Sequence, residues 1–372
     1  MRTCVLIIIL SGVLTACGGR PGASATASAD GKILNLYIWA DYLAPDTLAN
    51  FEKRTGIKVN ASYFDTNETL ETRVLTGNSG FDVVVPTAPY LQRQIAAGAY
   101  QELDRSKLPN LANLDPALMA LVARYDPGNR HAVIYIRGTE GIGYNETLVR
   151  KALPKAPLDS WALVFDPANA SRLAGCGIQI MDNPAGVIRL VLTYLGRPPN
   201  DPSAADLQQA EATLMAIRPF VRTIDSFNST DALANGDVCL LVGYNGDVSL
   251  ARARTHDGKE PMNLQFIIPK EGSILWFDML AVPKDAPHPA SAHAFINYVL
   301  EPAVMAAISN SMRYANANAA ATPLVDASVR DDPMIYPTPA EMSRLFVQLA
   351  DSPERTRVLT RIWQRFRTGD SR

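Results

Sequence analysis

Short apolar runs rich in β-branched and aromatic residues recur along the chain at Ile33–Trp39, Ile57–Phe64, Phe81–Val85, Ala132–Ile136, Ile178–Met181, Val238–Val242 and Leu264–Ile268. Their length and composition predict strands, and their near-continuous apolar character predicts burial on both faces. Helical patterns lie between them. Pro45–Arg54 opens on Pro and Asp and stops at Gly56, Asn67 caps a segment that ends at Gly77, and Ser203 with Asp206 opens a longer one to Arg218. Strand and helix in alternation predict parallel sheets with helices on both faces, an α/β fold.

The chain starts with a different pattern. Arg2 precedes the apolar run Val5–Leu10, which is followed by Leu14-Thr15-Ala16-Cys17. A charged start, an apolar stretch and small residues at a cleavage site predict a signal peptide over 1–16. The cysteine directly after Leu-Thr-Ala resembles a bacterial lipobox, which makes Cys17 the expected lipidated first residue of the mature protein. An ordinary secretory signal is the alternative, and the run is too short for a membrane span. Residues 17–30 hold Gly, Ala and Ser with almost no large apolar side chain, so they read as a flexible tether to a membrane surface. The expected location is the periplasm, with the lipid in a membrane.

Composition then narrows the class. Without the leader, 34 Lys and Arg face 37 Asp and Glu, a balance that gives no reason to expect nucleic acid. About 356 residues exceed a usual single core, so two domains are expected. With Cys4 in the leader and Cys17 carrying lipid, Cys176 and Cys239 remain. In an oxidising compartment they are expected to form a disulfide, worth roughly 2 to 4 kcal/mol, the other state being two buried thiols.

Three segments place a ring beside a carboxylate where an apolar run ends: Trp39-Ala40-Asp41-Tyr42, Tyr244-Asn245-Gly246-Asp247 and Trp276-Phe277-Asp278. Ring faces attract a cation by roughly 0.5 to 2 kcal/mol, and a desolvated carboxylate adds about 1.5 to 3 kcal/mol. The pattern therefore predicts an organic-cation site. Singly, Trp39 and Trp276 read equally well as packing residues, and Asp41 and Asp247 as helix caps. Ligands of open α/β sheets bind beyond the carboxyl ends of strands, and common placement there, with Thr87 after another strand, predicts convergence on one cleft.

Other chemistry finds little support. The chain has no G-x-S-x-G, no H-E-x-x-H and no G-x-x-x-x-G-K-[ST]. Gly141-Ile142-Gly143 lacks the third glycine of a dinucleotide fingerprint and reads as a turn or hinge. The four histidines are scattered, and His288 with His293 is expected on a solvated helix start. No metal, cofactor or catalytic residue is predicted. A glycosidase carboxylate pair is the enzyme alternative.

Longer strings carry a resemblance. Asp41–Thr47, Asn50–Lys53, Gly56–Val59, Gly80–Pro86, Gly141–Asn145, Leu233–Asp237 and Tyr314–Asn318 make the chain resemble the periplasmic putrescine-binding proteins of bacterial polyamine ABC transporters, from about Leu34 to the end. The resemblance implies a two-lobed type II binding fold with the ligand in the cleft between lobes, 31–136 plus 269–312 forming one lobe and 137–268 plus 313–372 the other. It also implies the Cys176–Cys239 disulfide, a membrane permease partner, and no enzymatic activity. An extended diamine would lie between Trp39, Tyr244, Trp276 and Tyr314, with Asp41, Asp247 and Asp278 at its ammonium ends and Tyr42 and Thr87 beside them.

The chain departs from the family at several points. Tyr244 stands in place of a usual Trp, Thr87 of a serine, and Ala40 of a hydroxyl or acid. In Asp182-Asn183-Pro184-Ala185-Gly186 the family supplies a glutamate after the proline, and here neither Ala185 nor Gly186 carries charge. Putrescine is the leading ligand, with a preference shifted toward spermidine, agmatine or an ω-amino acid. Arg313, if it faces the cleft, would favour the last. A ligand sensor for a signalling partner is the alternative use, and an exported hydrolase a third.

Overall fold

The computed structural model describes residues 32–256 and 262–370. The signal peptide, Cys17 and the tether lie outside the described residues. Among the described residues eleven strands are present: β1 Ile33–Trp39, β2 Lys58–Phe64, β3 Val83–Val84, β4 Ala132–Asn145, β5 Ile178–Ile180, β6 Thr223–Ile224, β7 Leu240–Tyr244, β8 Leu264–Ile267, β9 Ser273–Ala281, β10 Ala315–Asn316 and β11 Leu345–Phe346. They order as β2-β1-β3-β9-β4-β7-β5-β6, with β10 and β8 on β4 and β11 on β9.

The sheet is mixed, where alternation alone predicted parallel pairing. β1 pairs in parallel with β2 and β3, and β5 with β6 and β7. β4 and β9 run antiparallel to each other and to their outer neighbours, β7 and β3. These two long strands join the halves. β4 contributes Ala132 to Ile136 to one hydrophobic core and Ile142 and Tyr144 to a second, while β9 contributes Ile274 to the second and Leu275 and Phe277 to the first. The first core gathers Leu34, Leu36, Val83, Met279 and Phe295, and the second Trp161, Ile178, Val191, Leu240 and Trp363.

Two readings of the sequence are corrected here. Gly141 and Gly143 form no turn, because both lie inside β4. A Cβ on Gly141 would meet Ile267 O at 2.4 Å, and one on Gly143 would meet Val248 Cγ2 at 2.3 Å. Glycine is present so that a strand and a helix can approach. Trp276-Phe277-Asp278 does not end a run but lies within β9, which no apolar pattern announced because Asp278 interrupts it.

Local signals fare better. The helix Thr47–Thr55 ends at Gly56 in the left-handed region (φ 70°), and Ala204–Ile217 starts on the reciprocal Ser203/Asp206 capping box. The cap of Asn67–Thr76 is Thr66, whose hydroxyl accepts from Thr69 N, and not Asn67. Cys176 and Cys239 are disulfide-bonded, their Cα atoms 5.4 Å apart. His288 and His293 are not solvated: the first pairs with Asp82, and the second is buried, accepting from Asp104 N. Among the described residues no cluster of His, Cys, Asp or Glu is placed to hold a metal, and no helix is long and apolar enough to cross a membrane.

Candidate functional site

Asp278 stands at the centre of a hydrogen-bonded group contributed by the first half of the chain. It occupies β9 opposite Ile136 of β4, and a single bridge joins it to Thr87. Thr87 precedes the helix Ala88–Ala96 but makes no side-chain cap there. Its hydroxyl instead donates to Asp278 Oδ1 at 2.6 Å and accepts from Asn67 Nδ2 at 2.9 Å. The Tyr42 hydroxyl donates to Asp278 Oδ2 at 2.5 Å, and Tyr135 OH donates to the Tyr42 carbonyl at 2.5 Å. Burial pushes the Asp278 carboxyl up to about 6, although the Thr87 and Tyr42 hydroxyls pull the other way.

The rings meet beside it. Trp276, two residues earlier on the same strand face, lies edge-on to Tyr314 at 5.2 Å and to Tyr244 at 6.0 Å between centroids. Tyr314 directly precedes β10, and its ring closes over Gly246, where a Cβ would lie 1.9 Å from Tyr314 Cζ. Only glycine admits that contact. Trp39 packs on Phe64 at 4.4 Å and donates Nε1 to Val85 O at 2.9 Å, so it forms a wall anchored on the neighbouring strand.

Asp247 lies in the first turn of the helix Asn245–His256, where the helix dipole favours a carboxylate. That start is fixed by buried Asn245, whose Oδ1 accepts from Thr139 N at 2.9 Å and whose Nδ2 donates to Met334 O at 3.0 Å. The Asp247 carboxylate has no hydrogen bond or ion pair among the described residues. Desolvation pushes it up to about 7. Trp276 Nε1 is likewise buried without a partner.

The structure thus brings Tyr42, Thr87, Tyr244, Asp247, Trp276, Asp278 and Tyr314 into one neighbourhood, with Trp39 at its side. Asp41 stands apart. It is exposed, in the left-handed region (φ 56°), and its carboxylate makes no hydrogen bond or ion pair among the described residues. Arg313 also turns elsewhere: Nε donates to Ser249 Oγ at 2.7 Å and Nη2 to Ser328 O at 3.3 Å. Ser249 follows Asp247 by two positions, about 200° around the helix, so the guanidinium is engaged on the face away from the site. The case it made for an ω-amino carboxylate goes with it.

Sequence reasoning missed Glu140. It lies on β4 opposite Tyr244 and is 2% exposed, and Asn183 Nδ2 donates to its Oε1 at 3.3 Å and to Tyr244 OH at 3.3 Å. The apolar run stops at Ile136 and the polar, glycine-containing residues 137–141 that follow give no local signal for a buried strand.

The chain has known relatives. A family model described as bacterial extracellular solute-binding protein matches residues 46–337. The chain belongs to that family. It is 46% identical over 346 residues to the putrescine-binding periplasmic protein PotF of Escherichia coli K12, covering 92% of this chain and 94% of that one. It is 44% identical over 358 residues to the putrescine-binding periplasmic protein SpuD of Pseudomonas aeruginosa, covering 96% and 97%. Among solved structures, the spermidine/putrescine ABC transporter substrate-binding protein PotD of Streptococcus pneumoniae superposes with a TM-score of 0.78 at 27% identity, covering 91% and 99%. The fold of this solute-binding protein is accordingly the two-lobed α/β type II fold with a ligand cleft, and its relatives are binding proteins of transport systems, not enzymes.

Proposed function

We propose that this solute-binding protein captures putrescine, or a closely related polyamine, and delivers it to the permease of an ABC transporter. One observation carries the reading: Trp276, edge-on to both Tyr244 and Tyr314, shares its strand with the buried acid Asp278, and the unpaired acid Asp247 acts electrostatically on the same two tyrosines. Such a site offers an aliphatic cation ring faces along its length and a desolvated carboxylate at its charge. The relatives that bind putrescine by name support the choice of amine.

The two larger hydrophobic cores mark the two lobes in this reading, beside a smaller one of Leu233, Leu241 and Val248, with β4 crossing after Ile136 and β9 crossing near Ile274. Ala315, Val329 and Val347 pack in the first core and the helix Pro353–Thr368 in the second, so the chain returns to lobe 1 before ending on lobe 2, a finer division than the 313–372 assignment to lobe 2. A ligand touching both lobes favours the closed arrangement, because only closure satisfies both sets of contacts.

Calorimetric titration with putrescine, spermidine and agmatine tests the function. Putrescine should bind with the greatest affinity, and no heat with any amine would remove the reading. Asp247→Asn should weaken putrescine by about tenfold or more, because an ammonium without its charged partner loses about 2 kcal/mol. An unchanged dissociation constant would take Asp247 out of the site.

The lipid anchor on Cys17 belongs to the same proposal. Cys17→Ser should move the mature protein from the membrane fraction to the soluble periplasmic fraction, since acyl chains are what would hold it. Equal partition of both forms would rule the anchor out.

A further inference from the structure

Glu140 is a buried acid whose needs are not met within the protein. One oxygen accepts a single long hydrogen bond from Asn183, and Oε2 is buried with no partner. Arg189 acts on it only through space, making no hydrogen bond to it, because its guanidinium donates to Asp351 Oδ1 at 2.8 Å, Ala185 O at 3.0 Å and Leu349 O at 3.2 Å. Leaving a buried polar oxygen unpaired is destabilising, and more so when it is charged. A structural glutamate would be satisfied locally, as Asp82 is by Asn35 N, His288 N and the His288 ring.

Its position links it to the site. Tyr244 stands directly across the β4–β7 pair, and the same Asn183 amide serves both side chains. Space is made for the carboxylate by Gly186, where a Cβ would lie 3.0 Å from Glu140 Oε1 and 2.7 Å from Asn183 Nδ2. Any side chain at 186 would compete with Glu140 for this place.

We infer that Glu140 is a ligand-binding carboxylate that takes one ammonium end of an aliphatic diamine, with Tyr244 as the ring beside that end. The inference rests on the amine-binding reading above and deepens it. The acid missing from Ala185 and Gly186 is supplied from β4, so two ammonium ends find acids and no neutral or anionic far end is required of the ligand. The preference thereby falls on a dication.

Glu140→Gln is the test, because it keeps size and removes charge. The mature protein and the variant are titrated with putrescine, and with n-butylamine, a monocation of the same chain length, by competition. The variant should bind putrescine about tenfold or more weakly and hold n-butylamine within about threefold, so that the preference for the diamine collapses. Its ligand-free melting temperature should be unchanged or raised, since a buried unpaired acid has been removed. Glu140→Asp, which keeps the charge on a shorter arm, should retain more of the diamine preference than Glu140→Gln. Putrescine affinity within threefold of the parent would overturn the inference, as would equal losses for both amines with a lowered melting temperature, the mark of a structural role. If the parent binds no amine, the proposed function itself fails, a result distinct from either.

Discussion

Asp278→Asn should weaken putrescine binding by about a hundredfold, the largest single-residue loss expected in this site. The carboxylate is buried and already accepts from Tyr42 and Thr87 through its two oxygens. Those hydroxyls fix its orientation without neutralising it, so the charge is available to a cation. Asparagine removes the charge-assisted bond, worth about 1.5 to 3 kcal/mol, and turns an amide donor toward one of two groups that were donating, adding about 1 kcal/mol or more. The Tyr42 hydroxyl can rotate to accept from that amide, so the fold survives. Calorimetry on the folded variant reads the loss directly, and a putrescine affinity within threefold of the parent would take Asp278 out of ligand recognition.

The second large effect is a dependence on pH. Burial holds Asp278 at about 6, Asp247 at about 7 and Glu140 at about 8 in the ligand-free protein. A cation needs these groups ionised, whereas an alkylammonium with a pKa near that of lysine, about 10.4, stays charged throughout. Each acid costs about tenfold in affinity per pH unit below its own value, so with all three acting putrescine should bind on the order of ten-thousandfold more tightly at pH 8 than at pH 5.5. Stability of the empty protein moves the opposite way. Carboxyls raised above their unfolded values keep protons that the unfolded chain has released, so their contribution is complete below about pH 4 and is lost as pH rises through about 6 to 8. Melting temperatures without ligand should fall over that window while the putrescine-induced increase grows. A flat affinity profile between pH 5.5 and 8 would contradict the desolvated-acid account.

What the sequence disclosed, and what it hid, follows from the range of the interactions involved. β1, the Gly56 stop and the Ser203/Asp206 box depend on neighbours a few positions away, and local pattern found them. The ring and acid segments were legible because ligand chemistry restricts residue type. β9 was not, because its central acid breaks the apolar run and its burial is explained only by Thr87 and Tyr42, some 190 and 236 residues earlier in the chain. Glu140 was hidden for the same reason: the run around it reads Arg-Gly-Thr-Glu-Gly, which looks like a loop until β7, β8 and β9 are placed against it. Asp41, selected with the others by composition, is exposed in a left-handed turn of the chain.

The pairing of β9 also dictates an order of events as the chain is made. β3 and β4 both need β9 as a neighbour, through Val84 to Ala281 and Ala132 to Ala281. The first sheet therefore cannot close until residue 281 has emerged, long after its other strands. Contacts so distant in sequence slow folding, because loop closure must be met before they repay it. The nascent first half stays open for most of synthesis, with its apolar strands unsealed, and it is the arrival of one late strand, carrying both Trp276 and Asp278, that joins β3 to β4 and brings Asp278 to Thr87 and Tyr42.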